Sequence, residues 1–418
     1  DLLTVTEQMR KDGTIETVDG GYYLVELSHQ VASSANIEYH ARILAQKHIQ
    51  RQLIVAATET IRDAYEDATD AFALLEKTEI NLFKIGHRKA KSAQHVRDIT
   101  TSVIMEAERA MQYTGECIGI PSGIRALDKE TGGWRSPDLV IIAGRPAMGK
   151  TALALTIAKG SAKAGTGVAF FSLEMSKAQL VQRLVCMEGK VNGQMARNGK
   201  LTQDDFRRMC EAQPVVDEMP IYIEDTPAMS VIELRAAARR LKMKHNIGAV
   251  IVDYLQLMRG GEDQRGNRER EIAQISGGLK ALAKELEVPV IALAQLSRAV
   301  EVRGGSKRPQ MSDLRESGAI ENDADIILFP YRPEYYQITE DEEGNSLAGV
   351  AELIIGKNRH GRSGISVMCG FDEFYALFRD LDEKPSSQFP ATAPQSGASV
   401  ALPEGASMRG RNEEDIPF

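Results

Sequence analysis

Residues 144–151 read Gly144-Arg145-Pro146-Ala147-Met148-Gly149-Lys150-Thr151, a glycine-flanked run that closes on Lys-Thr. This spacing suits a polyphosphate. Glycines let backbone N–H groups close on phosphate oxygens, and a helix starting at the second glycine adds positive potential at its N-terminus. Lys150 is placed to reach the β- and γ-phosphates, and the Thr151 hydroxyl to meet Mg²⁺. Such a run would arise by chance in roughly one or two chains per hundred of this length. Here it follows an apolar stretch (139–143) and opens an Ala/Leu-rich helical segment, the context in which a phosphate-binding loop works.

Four further positions stand at the ends of apolar runs. Asp253 follows 249–252, where a strand-end carboxylate would hold the metal or its water. A lone aspartate there is otherwise an ordinary turn residue. Glu174 follows 168–173 and could polarise an attacking water, or could equally be an acid favoured at a helix N-terminus. Gln295 follows 288–294, where an amide can sense a γ-phosphate or simply satisfy a strand end. The cluster Lys357-Asn358-Arg359-His360-Gly361-Arg362 follows 351–355. It reads as a solvated edge or as the source of an arginine finger, and the sequence does not distinguish action in cis from action in trans. Two polar, glycine-containing segments, 259–268 and 303–309, carry Arg and Lys. They suit phosphate-backbone contact, although loops are commonly polar, and they lack the aromatics that base stacking requires.

The elements that would position these groups change character along the chain. Residues 1 to about 110 read as helices. Apolar residues recur at helical spacing within 36–65 (Ile43, Leu44, Ile49, Leu53, Ile54, Ala57), and a second helix is expected over 95–113 after a basic run at Lys84, His87, Arg88, Lys89 and Lys91. The simplest reading of both is ordinary amphipathic packing. From about Thr114, continuous apolar runs at 139–143, 168–173, 249–252, 288–294, 326–329 and 351–355 alternate with helical segments, one of them opened by Ser230 and Glu233 in capping-box spacing. This predicts an α/β fold around a mostly parallel sheet, with ligands at the carboxyl ends of the strands. After Asp382 the chain turns rich in Pro, Ser, Ala and Gly, and 384–418 is expected to be a disordered tail.

Composition sets the outer bounds. The chain has 418 residues, is 43% hydrophobic and 26% charged, and carries a net charge of −8. That charge excludes a generally basic nucleic-acid-coating protein, so DNA contact would require a local basic patch. No apolar run is long enough for a membrane span. The start has neither a basic n-region nor an initiator Met, so no export signal is expected and the sequence reads as a fragment. The cysteines, Cys117, Cys186, Cys210 and Cys369, are scattered and predict neither a zinc site nor a disulfide framework, which fits a cytoplasmic protein.

Taken together, these words resemble the bacterial replicative helicases of the DnaB type, within the RecA-like superfamily. The resemblance runs from Asp1 to about Asp382. It rests on Gly119-Ile120-Pro121-Ser122-Gly123 with Leu127-Asp128 and Gly132-Gly133, the phosphate-binding loop, and Phe171-Ser172-Leu173-Glu174-Met175-Ser176. It continues through Val252-Asp253-Tyr254-Leu255-Gln256-Leu257, Ala294-Gln295-Leu296-Ser297-Arg298, the stretch 313–321 and Lys357-Asn358-Arg359. The resemblance implies that Glu174 is the catalytic base, Gln295 the γ-phosphate sensor, and Arg359 with Lys357 a trans-acting finger pair. It implies that Arg315, Glu316 and Gly318 line a ring channel and touch single-stranded DNA. Arg183 matches the family's segment after Glu174 without an assigned role. The implied activity is ATP- and Mg²⁺-dependent 5′–3′ translocation and unwinding by a homo-hexamer at the replication fork, with primase and a helicase loader as partners and a cytoplasmic, nucleoid-associated location.

The expected division is a truncated helical collar domain (1–90), a linker helix (91–113) that docks on the adjacent subunit, a RecA-like motor (114–383) and the tail (384–418). The family's helical domain normally begins earlier than Asp1, so collar formation and primase binding are the functions this sequence puts in question. The rivals are a RecA-type recombinase, disfavoured by 313–321 and by the position of Glu174, and a nucleotide-gated scaffold, disfavoured by the presence of both Glu174 and Arg359. The final residues, Asn412-Glu413-Glu414-Asp415-Ile416-Pro417-Phe418, are similar to the tip of bacterial single-stranded-DNA-binding proteins. That similarity implies docking on a basic pocket, against the plainer reading of a solubilising end.

Overall fold

In the computed structural model, the described residues are 2–15, 22, 24–26, 37–66, 70, 74, 77–78, 81, 85, 95–112, 117–259, 268–297, 299–303, 307–341 and 343–382. The expected tail, the basic run at 84–91 apart from residue 85, and the middles of the two polar segments lie outside them. The chain divides into two compact units, Asp1–Glu108 and Arg109–Phe418. The boundary falls within the expected linker helix rather than beside it.

In the first unit α1 spans Leu2–Lys11 and α2 Ile37–Ala64, and α3 Val96–Gln112 runs across the boundary. Asp63 near the end of α2 is paired to Lys77 at 2.5 Å and to Arg62 at 3.2 Å. The expectation of ordinary amphipathic packing fails for both long helices. Ile43, Leu44, Ile49, Leu53 and Ile54 on α2 are exposed, as are Val96, Ile99, Val103, Ile104 and Met111 on α3. Among the described residues these positions lie at the surface, so their apolar periodicity does not by itself mark a core. No helix among the described residues is long and apolar enough to cross a membrane.

The second unit is a three-layer α/β body. Its strands are β1 Leu139–Gly144, β2 Val168–Ser172, β3 Ile221–Glu224, β4 Ala249–Asp253, β5 Val290–Gln295, β6 Ile326–Tyr331, β7 Val350–Asn358, β8 Ile365–Asp372 and β9 Leu377–Arg379. They form one nine-stranded sheet ordered β3-β2-β4-β5-β1-β6-β7-β8-β9. The first six in that order pair in parallel and the last three antiparallel. The central strands are buried on both faces, which is why they read as unbroken Val, Ile, Leu and Ala.

Helices cover both faces. On one face lie α4 Arg125–Thr131, α5 Lys150–Lys163 and α6 Lys177–Gly189, whose Leu127, Leu153, Ile157, Leu180 and Leu184 pack on Val140, Ile142 and Ile291. Next in the chain come α7 Gly193–Arg197 and α8 Gln203–Asp217. On the other face lie α9 Val231–His245 and α10 Arg268–Leu286, and later the short α11 Ala299–Val302 and α12 Gly318–Asp323. There Leu234, Ile275, Leu279 and Ile320 pack on Ile141, Val250 and Ala292. The expected Ser230–Glu233 capping box forms, and matching boxes open α6 (Ser176, Gln179) and α8 (Thr202, Asp205). Each cap satisfies otherwise orphaned N–H groups and is typically worth about 1 kcal/mol.

The glycine-rich words before β1 prove structural. A Cβ on Gly160 of α5 would meet the Cα of Gly123 at 2.5 Å, so that helix lies directly against backbone. Asp128 of α4 accepts the Ser122 N–H at 2.8 Å, holding that backbone in place. These residues seat α5, and with it the phosphate-binding loop.

Candidate nucleotide site

Register brings four functional positions to one edge of the sheet. Gly144 pairs with Gln295 across β1 and β5, and Ser172 with Asp253 across β2 and β4. The phosphate-binding loop, Glu174, Asp253 and Gln295 therefore share the carboxyl edge of the parallel strands, and all contribute to one cavity of about 780 Å³. Gly149, in the left-handed region at φ 85°, caps α5, so its N-terminus opens on that cavity. Gln182, Arg183, Gln194 and Arg197 from α6 and α7 form a second wall, and Phe371, Phe374 and Tyr375 from the β8–β9 hairpin a third.

The loop residues do not all face the cavity. Pro146, Ala147, Gly149, Lys150 and Thr151 do. Met148 is buried, and the Arg145 side chain turns away, to Glu301 at 2.8 Å and the Leu296 carbonyl at 3.0 Å. Arg145 instead offers its own carbonyl to Lys150 Nζ at 3.0 Å.

That contact leaves a mostly buried ammonium with a neutral acceptor. Burial pushes Lys150 down to about 8, with Asp253 and Glu174 acting against the fall. Asp253 shows the complementary strain: burial raises its carboxyl to about 6, although the Thr151 hydroxyl donates to its Oδ2 at 2.8 Å. A buried cation at a helix N-terminus fits a polyphosphate, and an adjoining pair of hard oxygens on Thr151 and Asp253 fits a divalent cation. Arg183 adds a second positive group facing Asp253 and Glu174.

Some contributors were invisible in the sequence. The Gln256 side chain grips the backbone of Gln295 at both ends: its Oε1 accepts the Gln295 N–H and its Nε2 donates to the Gln295 carbonyl, each at 3.2 Å. Arg332 is buried over the Phe371 ring at 4.2 Å and donates to the Ala147 carbonyl at 3.2 Å. Gln256 at least adjoins the Asp253 motif, whereas nothing near Arg332 or the β8–β9 hairpin hints at a nucleotide wall.

Arg359 and Lys357 lie elsewhere. Antiparallel pairing puts Asn358 beside Ile326, and Val140 lies opposite the same residue in β1. Both basic residues therefore sit at the amino edge of the parallel strands, away from their own chain's cavity. Arg359 contacts Asp325 at 3.1 Å and the Asn322 carbonyl at 2.9 Å, and Lys357 the Glu321 carbonyl at 2.5 Å.

The main chain of Arg315 and Glu316 lies in a 3₁₀ helix, Met311–Ser317, followed by exposed Gly318; their side chains are not among the described ones. Buried Asp313 anchors this turn by accepting the Gln310 N–H at 2.8 Å and pairing with Arg303. In the polar segment 303–309, Arg303, Lys307 and Arg308 are all engaged within the chain, Arg308 with Glu352 and Ser366. The basic residues there, which suit phosphate-backbone contact or an ordinary polar loop, clamp the segment within the chain.

Comparison with known proteins agrees with this layout. The model of the DnaB-like helicase C terminal domain matches residues 119–380, and that of the DnaB-like helicase N terminal domain matches 1–46. The replicative DNA helicase DnaB of Geobacillus stearothermophilus is 43% identical over 386 residues, covering 92% of this chain and 84% of that protein. The replicative DNA helicase DnaC of Bacillus subtilis is 42% identical over the same length, with the same coverage. Among solved structures, an isolated ATPase domain matches with TM-score 0.62 at 38% identity, covering 68% of this chain and 99% of that one. A DnaB-like replicative helicase, described with its interactions with primase, matches with TM-score 0.67 at 32% identity over 91% of this chain and 88% of that one. A nucleotide cavity at the strand ends, together with identity sustained across both the helical unit and the α/β body, shows that the chain belongs to the DnaB-like replicative DNA helicases.

Proposed function

We propose that this protein is the motor of a hexameric ring that hydrolyses ATP to move 5′ to 3′ along one DNA strand and unwind the duplex ahead. The observation that carries this reading is the separation of Arg359 from its own chain's cavity by the length of a strand. An arginine so placed serves a nucleotide only across a subunit boundary, which makes the ring the catalytic unit.

Within one site, Lys150 and the N-terminus of α5 hold the β- and γ-phosphates. A magnesium ion held by Thr151 and Asp253 would neutralise phosphate charge there. Glu174 takes a proton as water attacks: the water oxygen bonds to the γ-phosphorus, the bond to the β–γ bridging oxygen breaks, and ADP departs. Gln295, fixed by Gln256, meets the γ-phosphate, while Arg359 and Lys357 of the neighbour meet developing negative charge. Arg315, Glu316 and Gly318 belong to the channel lining that touches single-stranded DNA.

The division into collar (1–90), linker (91–113), motor (114–383) and tail (384–418) belongs to this reading, and the exposed apolar residues of α3 support a linker that docks on an adjacent subunit. Primase as partner is supported by the relative whose structure is described with it. A helicase loader and a cytoplasmic location at replication forks complete the proposal. Its test is ATP hydrolysis with and without single-stranded DNA. Stimulation by DNA, lost in Glu174→Gln while nucleotide still binds, is the expected result; near-parental hydrolysis by Glu174→Gln removes the base assignment.

A further inference from the structure

Asp325 precedes β6 and is only 3% exposed. Its two oxygens do different things. Oδ2 accepts the Leu139 backbone N–H at 2.8 Å and Lys280 Nζ at 2.5 Å, and Lys280 also donates to the Pro137 carbonyl at 2.8 Å. Oδ1 accepts Nη1 of Arg359 at 3.1 Å. The peptide groups reinforce both links: the Asp325 N–H donates to the Leu139 carbonyl at 2.9 Å, and the Arg359 N–H to the Asp325 carbonyl at 3.0 Å.

Charge counting separates the roles of the two cations. Lys280, at 16% side-chain exposure, already balances the buried carboxylate. Arg359, at 50%, is not required for neutrality. Its contact with Oδ1 therefore does more for the arginine than for the core, since it removes rotamer freedom from a long side chain. Together with the Asn322 carbonyl it engages two of the five guanidinium N–H groups and leaves the others to meet a phosphate.

We propose that Asp325 is the positioning residue of the Arg359 finger, a proposal that rests on the trans-acting reading of Arg359. It fastens the guanidinium to the first residue of β1, whose last residue opens the phosphate-binding loop of the same subunit. One six-residue strand thus joins the finger given to a neighbour to the loop that binds the subunit's own nucleotide.

The experiment compares two variants of the whole protein. Lys280→Met leaves Asp325 with Arg359; Lys280→Met with Asp325→Asn releases the finger without orphaning a buried charge. The expected result is a lower melting temperature in both, but a fall in kcat of roughly tenfold or more only in the double variant. KM for ATP should stay within about twofold, as for an interaction made in the transition state. Mixing the double variant with Glu174→Gln subunits should recover activity, and mixing it with Arg359→Ala subunits should not. Equal kcat in the two variants, or recovery with Arg359→Ala, overturns the role of Asp325. Parental activity in Arg359→Ala alone would instead overturn the finger reading beneath it.

Discussion

Removing the guanidinium in Arg359→Ala should stop turnover at a neighbour's nucleotide and leave the subunit's own phosphate site intact. The geometry gives the reason. The guanidinium is held at Asp325, which is hydrogen-bonded to Leu139 in both directions, and the phosphate-binding loop starts at Gly144, five residues along β1. At ~3.3 Å per residue the two are on the order of 16 Å apart. A hydrogen bond closes only at about 3 Å, so no rotamer brings Arg359 to its own nucleotide. The expected loss in kcat is roughly 10³-fold or more, the usual effect of removing such a finger. The assay is subunit mixing. Arg359→Ala and Glu174→Gln are each inactive alone, but in a randomly mixed equimolar ring about one quarter of the interfaces join an intact Glu174 to an intact Arg359. Recovery of activity toward that fraction, rising and falling with the mixing ratio, is the predicted outcome. Mixtures as inactive as either parent variant, or an Arg359 guanidinium at its own subunit's phosphates in a nucleotide-bound structure, would refute the reasoning.

Three further outcomes are expected. Burial lowers Lys150 to about 8 in the nucleotide-free protein, and polyphosphate binds the charged form. ATP affinity should therefore be full below that value and fall as pH rises through it, by up to about tenfold per unit; titration calorimetry showing flat affinity from pH 7 to 9.5 would exclude this. Arg315→Ala should weaken single-strand binding about equally for all sequences and reduce the log-log salt slope by roughly 0.7 for each phosphate it no longer neutralises. An unchanged slope removes Arg315 from the channel. The peptide Asn412–Phe418 should bind a replication partner with a basic pocket, such as primase, and deleting Phe418 should abolish that binding without altering ATP hydrolysis; binding that does not need Phe418 leaves the tail a solubilising end.

What the sequence disclosed and what it hid follow from the range of the interactions. The phosphate-binding loop was legible because its chemistry fits within eight residues, β1, β2, β4, β5 and β6 because strands buried on both faces are apolar along most of their length, and β7 through its mostly apolar first half, although it holds Glu352 and runs on through Lys357 to Asn358. β3 escaped notice as a short, half-buried edge strand ending in Glu224, and β8 and β9 because partial exposure mixes polar residues into them. The β8–β9 wall of the cavity comes from more than 200 residues beyond the loop it faces, and no local pattern announces such a contact. Gln256 and Asp325 make hydrogen bonds to groups distant in sequence, Gln295 and Arg359, and such pairings emerge only from coordinates. In α2 and α3 the periodicity was real, but whether an apolar stripe faces core or partner is not written in its spacing.

Above all, this protein should convert ATP hydrolysis into directional movement on one strand. The most direct test is displacement of a labelled strand from forked duplexes carrying either a 5′ or a 3′ single-stranded tail, with ATP and Mg²⁺, beside the Glu174→Gln protein. Displacement from the 5′-tailed fork by the parent protein, and none by Glu174→Gln, is the predicted result. Displacement from the 3′ tail instead, or ATP hydrolysis without displacement from either fork, would contradict it.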